Sequence, residues 1–158
     1  MARTLPFEVT GIVHASVESV WQVLGDFGTE HRWTRSLVHC SRDTEDVAVG
    51  TVRACQLPRP LMGRTFVRET LTEFEPGESL AYVLDGPAGP FASASSRWST
   101  QAKHDATEVT ITGTFQPKSR LVRLIVWPAA RPMLRRFSKR VLRELDAFLI
   151  STPGITHR

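Results

Sequence analysis

The chain predicts an α+β domain in which a curved, seven-stranded antiparallel sheet wraps round one long C-terminal helix, with two short helices after the first strand. Three observations lead there. Seven runs of alternating apolar and polar residues read as half-buried strands, and the last six follow one another through turn residues alone. Connections that short make neighbouring strands antiparallel. Towards the C-terminus the period changes, and Met133, Phe137, Val141, Leu145 and Phe148 recur at helical spacing. One helix cannot fill a strongly bent sheet along its whole length, so a ligand cavity is expected between the two.

Leu5, Phe7, Val9 and Val13 alternate with polar or small residues and make the first strand. Ser16 is a helix cap. Val17, Val20, Trp21 and Leu24 then form one apolar stripe, which assigns Trp21 to the core, and Gly25 is expected to stop this helix in a left-handed conformation. Gly28, Thr29 and Glu30 open a second short helix carrying His31, Arg32 and Trp33. Six strands are expected over 37–42, 51–57, 65–74, 80–84, 92–101 and 107–115, separated by turn residues at 43–50, 58–63, 75–77, 85–90 and 103–106. A helical stretch over 117–127 is expected to break at Pro128, with Pro132 as the first-turn proline of the main helix. No repeat and no linker divides the 158 residues, so 1–158 reads as a single domain with its core at about 5–150.

Composition narrows the function classes. With 41% hydrophobic and 23% charged residues the chain is globular, and a chain of this size buries roughly 70% of its unfolded surface without a metal or disulfide staple. The apolar stretch 121–130 is interrupted by Arg123 and Pro128, far from the roughly 20 residues that span a bilayer. The N-terminus lacks the pattern of a secretory signal, so a cytoplasmic location is expected, and Cys40 and Cys55 are read as reduced. The net charge of +4 is unevenly spread: nine basic and two acidic residues between 117 and 150 leave +7 there and −3 elsewhere. The plain reading is the solvated face of an amphipathic helix. A nucleic-acid partner is not expected, because no aromatic and basic strand platform accompanies the charge.

The run from Val13 to Leu24, followed by Asp26, Phe27 and Trp33, begins a longer pattern. Gly50-Thr51-Val52-Arg53, Glu69 to Phe74, Leu80-Ala81-Tyr82, Ser96-Arg97-Trp98 and Thr107 to Thr110 ending in Phe115 continue it. In that order and spacing, over about 7–150, the chain resembles the polyketide cyclase/dehydrase-type (SRPBCC) branch of the START-like, helix-grip superfamily. The resemblance implies a helix-grip fold enclosing a cavity. Similar chains bind lipids, quinones, polyketides and plant hormones, and only some of them catalyse a reaction.

Strand parity then selects the residues that face the cavity. Arg53, Cys55 and Leu57 form one inward set, Glu69 and Leu71 the next, then Tyr82 and Leu84. Ala94, Ser96 and Trp98 follow, and Val109, Ile111, Gly113 and Phe115 close the series, with Gly113 expected to leave room at mid-strand. The resemblance likewise implies that Arg53 and Glu69 face the pocket, either as a structural ion pair or as a pair that orients a ligand. Tyr82 and Trp98 offer aromatic area with one polar handle each, against an alternative of ordinary core. Met133, Phe137 and Val141 should close the pocket from the helix, and the resemblance places Trp33 at its entrance.

Catalytic candidates are few. His14, His104 and His157 read as surface residues, and so do the better placed His31 and His39. The sequence contains no HExxH, GxSxG, GxxxxGK, GxGxxG or CxxC, so neither a metal nor a nucleotide cofactor is expected. An aromatase/cyclase-like activity, as the resemblance allows, would rest on Arg53, Glu69, Tyr82 and Trp98, which would fold a reactive chain and polarise a carbonyl. The chain has a single tyrosine, whereas similar aromatases are richer in pocket tyrosines and arginines. The leading expectation is therefore binding of a small hydrophobic ligand, a polyketide, lipid or isoprenoid-like molecule, as a carrier or sequestering protein. Cyclisation of a polyketide-like substrate is the alternative. A third reading is a peripheral lipid or quinone chaperone that meets anionic membrane through 120–131, where Leu121, Leu124, Ile125, Val126 and Trp127 sit among Arg120, Arg123 and Arg131.

Overall fold

The computed structural model describes residues 3–61 and 63–152, apart from the side chain of Leu61. His157 lies outside the described residues. Strand β1 (Leu5–Val13) leads into helix α1 (Val17–Leu24) and a 3-10 turn (Glu30–Arg32). Strands β2 (His39–Arg42), β3 (Val52–Leu61), β4 (Arg64–Glu75), β5 (Ser79–Leu84), β6 (Phe91–Lys103) and β7 (Ala106–Pro117) come next. A π-helical turn (Val122–Val126) runs directly into helix α2 (Trp127–Ser151).

The strands form one antiparallel sheet in the order β1-β7-β6-β5-β4-β3-β2. Consecutive strands from β2 to β7 are neighbours, as short turns require. Strand β1 pairs with β7 at the far edge from β2, so α1 and the 3-10 turn carry the chain from one edge of the sheet to the other. Register aligns the inward sets across the sheet, for Phe7 faces Gly113, Gly113 faces Ser96, Ser96 faces Tyr82 and Tyr82 faces Leu71. A second row joins Val9, Ile111, Trp98 and Leu80, and a third joins Arg53, Glu69 and Leu84.

Helix α1 starts as expected, with the Ser16 hydroxyl accepting the Ser19 N–H at 3.2 Å. Trp21 is buried and its indole N–H donates to Thr100 Oγ1 at 2.8 Å, which fastens α1 to β6. Helix α2 packs on β1, where Gly11 lets Leu142 approach: a Cβ at that position would lie 3.0 Å from Leu142 Cδ1. Val9, Val13, Val109, Leu142, Leu145 and Leu149 make this the close-packed side of the core. Asp146 of α2 also accepts the His14 backbone N–H at 2.7 Å and lies 3.2 Å from its ring nitrogen. Glu144 accepts the hydroxyl of Thr34 and, at 3.2 Å, the N–H of Arg35, tying the segment after the 3-10 turn to the same helix.

Four expectations are corrected. Gly25 ends α1 in the right-handed region (φ −69°, ψ −18°), and the left-handed glycine is Gly28 at φ +99°. Strand β3 runs on through Pro58 and Pro60 in place of the expected turn, because β2 pairs only as far as Gln56 and beyond it the missing proline N–H groups face no partner strand. Pro128, not Pro132, is the first-turn proline, and Pro132 lies exposed inside α2. The preceding π-helical turn links the Trp127 N–H to Val122 O, five residues back, so helix continues across the expected break. Finally, Cys40 and Cys55 form a disulfide rather than free thiols. Register explains it: the two face one another directly on β2 and β3 with Cα atoms 4.2 Å apart.

Candidate functional site

The concave face of the sheet and α2 enclose a cavity of about 310 Å³. Its volume lies at the lower end of the range of about 300–1,000 Å³ typical of small-molecule sites. Phe7, Leu80, Trp98, Ile111 and Phe115 supply an apolar floor. Leu24, Phe27 and Trp33 form one side, contributed by α1 and the stretch between it and β2, and Leu134, Ser138 and Val141 form the helix wall. Met133 and Phe137 also line it, yet they are 53% and 43% exposed, so the mouth opens beside them.

The charged groups gather at one place. Arg53 is buried on β3, directly opposite Glu69 on β4, and its Nε donates to Glu69 Oε2 at 2.7 Å. Its Nη1 donates to Glu30 Oε1 at 2.5 Å. Gly28 aims that second carboxylate. Its left-handed backbone turns its own N–H onto the Glu30 carboxylate at 3.0 and 3.1 Å, and a Cβ there would lie 3.0 Å from Arg42 Cβ. The guanidinium is stacked between two rings, with Cζ 4.3 Å from the centroids of both Phe27 and Tyr82. Burial by itself would lower the affinity of Arg53 for its proton. The carboxylates of Glu30 and Glu69 outweigh it and hold the guanidinium charged well above the usual arginine range.

Tyr82 continues the polar end. Its hydroxyl accepts the Trp98 indole N–H at 3.3 Å. Burial pushes the phenol up, and the opposing pull of Arg53 only partly offsets this, so Tyr82 stays protonated at neutral pH and keeps an O–H to donate. Arg53 spends Nε and Nη1 on the carboxylates, and among the described residues Nη2 has no protein partner. With one cation and two carboxylates, the cluster has a formal charge of −1 when all three are ionised.

Fourteen of the residues chosen from sequence meet at the cavity: Trp33, Arg53, Leu57, Glu69, Tyr82, Leu84, Ala94, Ser96, Trp98, Ile111, Phe115, Met133, Phe137 and Val141. Four do not. Cys55 is spent in the disulfide, and Leu71 and Val109 are fully buried in packed core. Gly113 opens no room, because the Phe7 ring occupies the space above it, 1.9 Å from where a Cβ would sit. Trp33 is buried in the wall, edge-on to Trp98 at 6.4 Å, rather than exposed at an entrance. Among the described residues its indole nitrogen has no hydrogen-bond partner.

Sequence reasoning missed Phe27 and Glu30, which complete the surroundings of Arg53. A signal existed: a lone inward arginine facing one carboxylate on an otherwise apolar face leaves donors that need another acceptor. His31 and His39 stack at 4.8 Å outside the cavity, and His31 Nδ1 accepts the Cys40 N–H at 3.0 Å. Glu30, Cys40 and Cys55 cluster closely enough to suggest metal ligands, but both sulfurs are committed to the disulfide, and a disulfide sulfur is not a thiolate ligand.

This combination of curved sheet, gripping helix and apolar cavity defines a class of small-ligand-binding folds. Residues 4–149 match the family model described as polyketide cyclase / dehydrase and lipid transport, and the chain belongs to that family. No curated protein matches the sequence. Among solved structures, Ara h 8.0201 is similar with a TM-score of 0.75 at 12% identity, over 94% of this chain and 99% of its own. An uncharacterised protein from Bacillus thuringiensis is similar with a TM-score of 0.72 at 20% identity, over 92% and 99%. StfQ, a di-domain aromatase/cyclase of the steffimycin biosynthetic pathway, gives a TM-score of 0.74 at 19% identity, over 96% of this chain and 52% of StfQ. At these identities the likeness is one of fold.

Proposed function

We propose that the protein binds one small, largely hydrophobic molecule in this cavity and carries or sequesters it. The observation that supports this reading most is the segregation of charge in a mainly apolar wall: the ionised side chains are confined to Arg53, Glu30 and Glu69, with Tyr82 and Trp98 beside them, and elsewhere the polar lining is limited to the hydroxyls of Thr34, Ser36, Ser95, Ser96 and Ser138. Such a site anchors one polar end of a ligand and leaves the rest to apolar contact. The same charges narrow the polar end. A carboxylate would meet two carboxylates and one guanidinium, whereas a ketone or hydroxyl oxygen could accept from Tyr82 Oη or Arg53 Nη2 without adding charge. A neutral, oxygen-bearing polyketide, isoprenoid or lipid fits this chemistry.

A cyclase reading rests on one specific feature, the protonated phenol of Tyr82 beside Arg53. Those two donors would polarise a carbonyl while the narrow cavity folds the attached chain, and no metal or nucleotide enters the scheme. A cytoplasmic location is part of the carrier reading. The Cys40–Cys55 disulfide argues the other way, because such bonds persist mainly in oxidising compartments.

Native mass spectrometry of protein purified gently from its own host, followed by extraction of whatever travels with it, tests the reading. An unreacted apolar molecule with a neutral oxygen function supports the carrier. A cyclised product beside its linear precursor moves the assignment to the cyclase, and a cavity holding only water contradicts both.

A further inference from the structure

The surface beside the cavity mouth carries an apolar pattern that ligand binding alone does not use. Between 122 and 138, every fourth residue turns inward: Val122, Val126 and Ala130 pack with Leu5 and Phe91, and Leu134 and Ser138 line the cavity. The residue before each of these forms a parallel row, Leu121, Ile125, Ala129, Met133 and Phe137, and all five are exposed. Leu121 and Ile125 are each 64% exposed and the adjacent Leu124 65%, which is the treatment usually given to polar residues.

Bases border this row on its solvent side, where Arg120, Arg136 and Arg140 lie, within the segment that carries nine basic and two acidic residues. Arg123, Arg131 and Lys139 stand two residues from row positions, on the opposite side of the helix, and add to the positive field of the segment. The row ends at Met133 and Phe137, the two residues that form the mouth. No helix among the described residues is long and apolar enough to cross a membrane, so this helical surface can only lie upon one.

We propose that the row from Leu121 to Phe137 docks on an anionic lipid surface and sets the cavity mouth against it, so that the ligand passes between bilayer and cavity without crossing water. This rests on the carrier reading and names its partner. Charge complementarity selects the occupant. A second copy of the chain meeting this face about a two-fold axis would set its basic flank against an identical one, and like charges there repel. A polyanionic strand would satisfy the arginines and leave the leucines and isoleucine in contact with phosphate and water. An anionic bilayer provides both acyl chains for the row and headgroup charge for its basic border.

The test uses the intact protein and two readouts. The first is co-sedimentation with vesicles of pure phosphatidylcholine and with vesicles containing roughly one third phosphatidylglycerol. The second is a titration in vesicle-free buffer with a fluorescent apolar ketone, which reports on the cavity alone. The proposal expects sedimentation only with the anionic vesicles. It also expects a drop of at least about tenfold between about 0.1 M and 1 M salt, as the screening length falls from about 10 to about 3 Å. Leu121→Asp with Ile125→Asp should weaken sedimentation at least about tenfold and leave the ketone titration unchanged, because neither residue lines the cavity. Arg120→Ser with Arg136→Ser, both at exposed positions bordering the row, should flatten the salt dependence.

Protein that binds the ketone and ignores anionic vesicles overturns the docking proposal and leaves the carrier reading standing. Protein that sediments with them and takes up no ketone overturns the carrier reading instead. Equal sedimentation with both vesicle types, or a stable dimer that hides Leu121 and Ile125, also overturns the proposal.

Discussion

The two sides of the sheet solve the problem of meeting one helix in opposite ways. Towards β1 and β7, helix α2 lies directly on the strands, and Gly11 and Gly113 have no side chains so that Leu142 and the Phe7 ring can fill the space. Phe7 stacks on Phe115 at 5.9 Å, and the two rings end this side as part of the cavity floor. Towards β3 and β4 the interior holds a buried guanidinium, two carboxylates and the cavity. Apolar packing stabilises through contact and needs no partner, whereas a buried charge is tolerated only when its hydrogen bonds are met. A region that accepts that requirement while leaving room beside it is where a ligand site is expected, and the close-packed side is the scaffold that holds it in shape.

Breaking the polar side should have the largest effect. Arg53→Met strands the Glu30 and Glu69 carboxylates in a buried site, and denaturant unfolding should show a loss of about 3–5 kcal/mol. Removing the disulfide with Cys40→Ala and Cys55→Ala relaxes a loop spanning 15 residues, and chain entropy places the loss near about 3 kcal/mol, read from the same unfolding curves against the reduced and oxidised parent. On the packed side, Gly113→Ala drives a methyl group into the Phe7 ring and should destabilise by about 1–3 kcal/mol through overpacking. Little or no loss at Gly113 would mean that this side is looser than its contacts indicate.

The smallest expected effect sharpens the boundary of the polar side. Burial, then the neighbouring charges of His39 and Arg32, hold the His31 imidazole below its ordinary value, and its Nδ1 must stay unprotonated to accept the Cys40 N–H. The folded state therefore binds fewer protons than the unfolded one near this pH. Stability should be fully present above about pH 6.5 and decline as pH falls through the lower folded value, and His31→Gln should remove that part of the decline in thermal melts taken across the range. Identical pH profiles for parent and variant would show that His31 contributes nothing.

The packed side is the more readable from sequence. Alternation in β1 and β7 and the helical recurrence of Val141 and Leu145 point to one face each, because apolar burial writes itself as a period. Strand parity places Arg53, Glu69, Tyr82 and Trp98 on the same face for the same reason. What parity cannot supply is distance across the fold. Glu30 reaches Arg53 from a turn that has no period, and Cys40 meets Cys55 through a register that separate strands do not announce. Gly113 misleads because an absent side chain reads equally well as empty space or as room for a neighbour, and here the neighbour is Phe7. The π-helical turn that carries helix past Pro128 likewise depends on a hydrogen bond five residues back, a pattern without a sequence signature.

The central claim is that the buried cluster orients a ligand and is not simply a means of filling the sheet. Replacing it whole, with Arg53→Met, Glu30→Leu and Glu69→Leu together, removes all three charges and leaves none stranded, and apolar replacement of a buried ionic group is generally close to neutral for stability. The decisive measurement is the affinity of that folded variant for an apolar ketone, set beside the parent by fluorescence titration. The account predicts a cooperative fold that binds at least about tenfold more weakly, the equivalent of about 1.4 kcal/mol for a lost polar anchor. An equally stable variant with unchanged affinity would contradict it and leave the cluster a purely structural one.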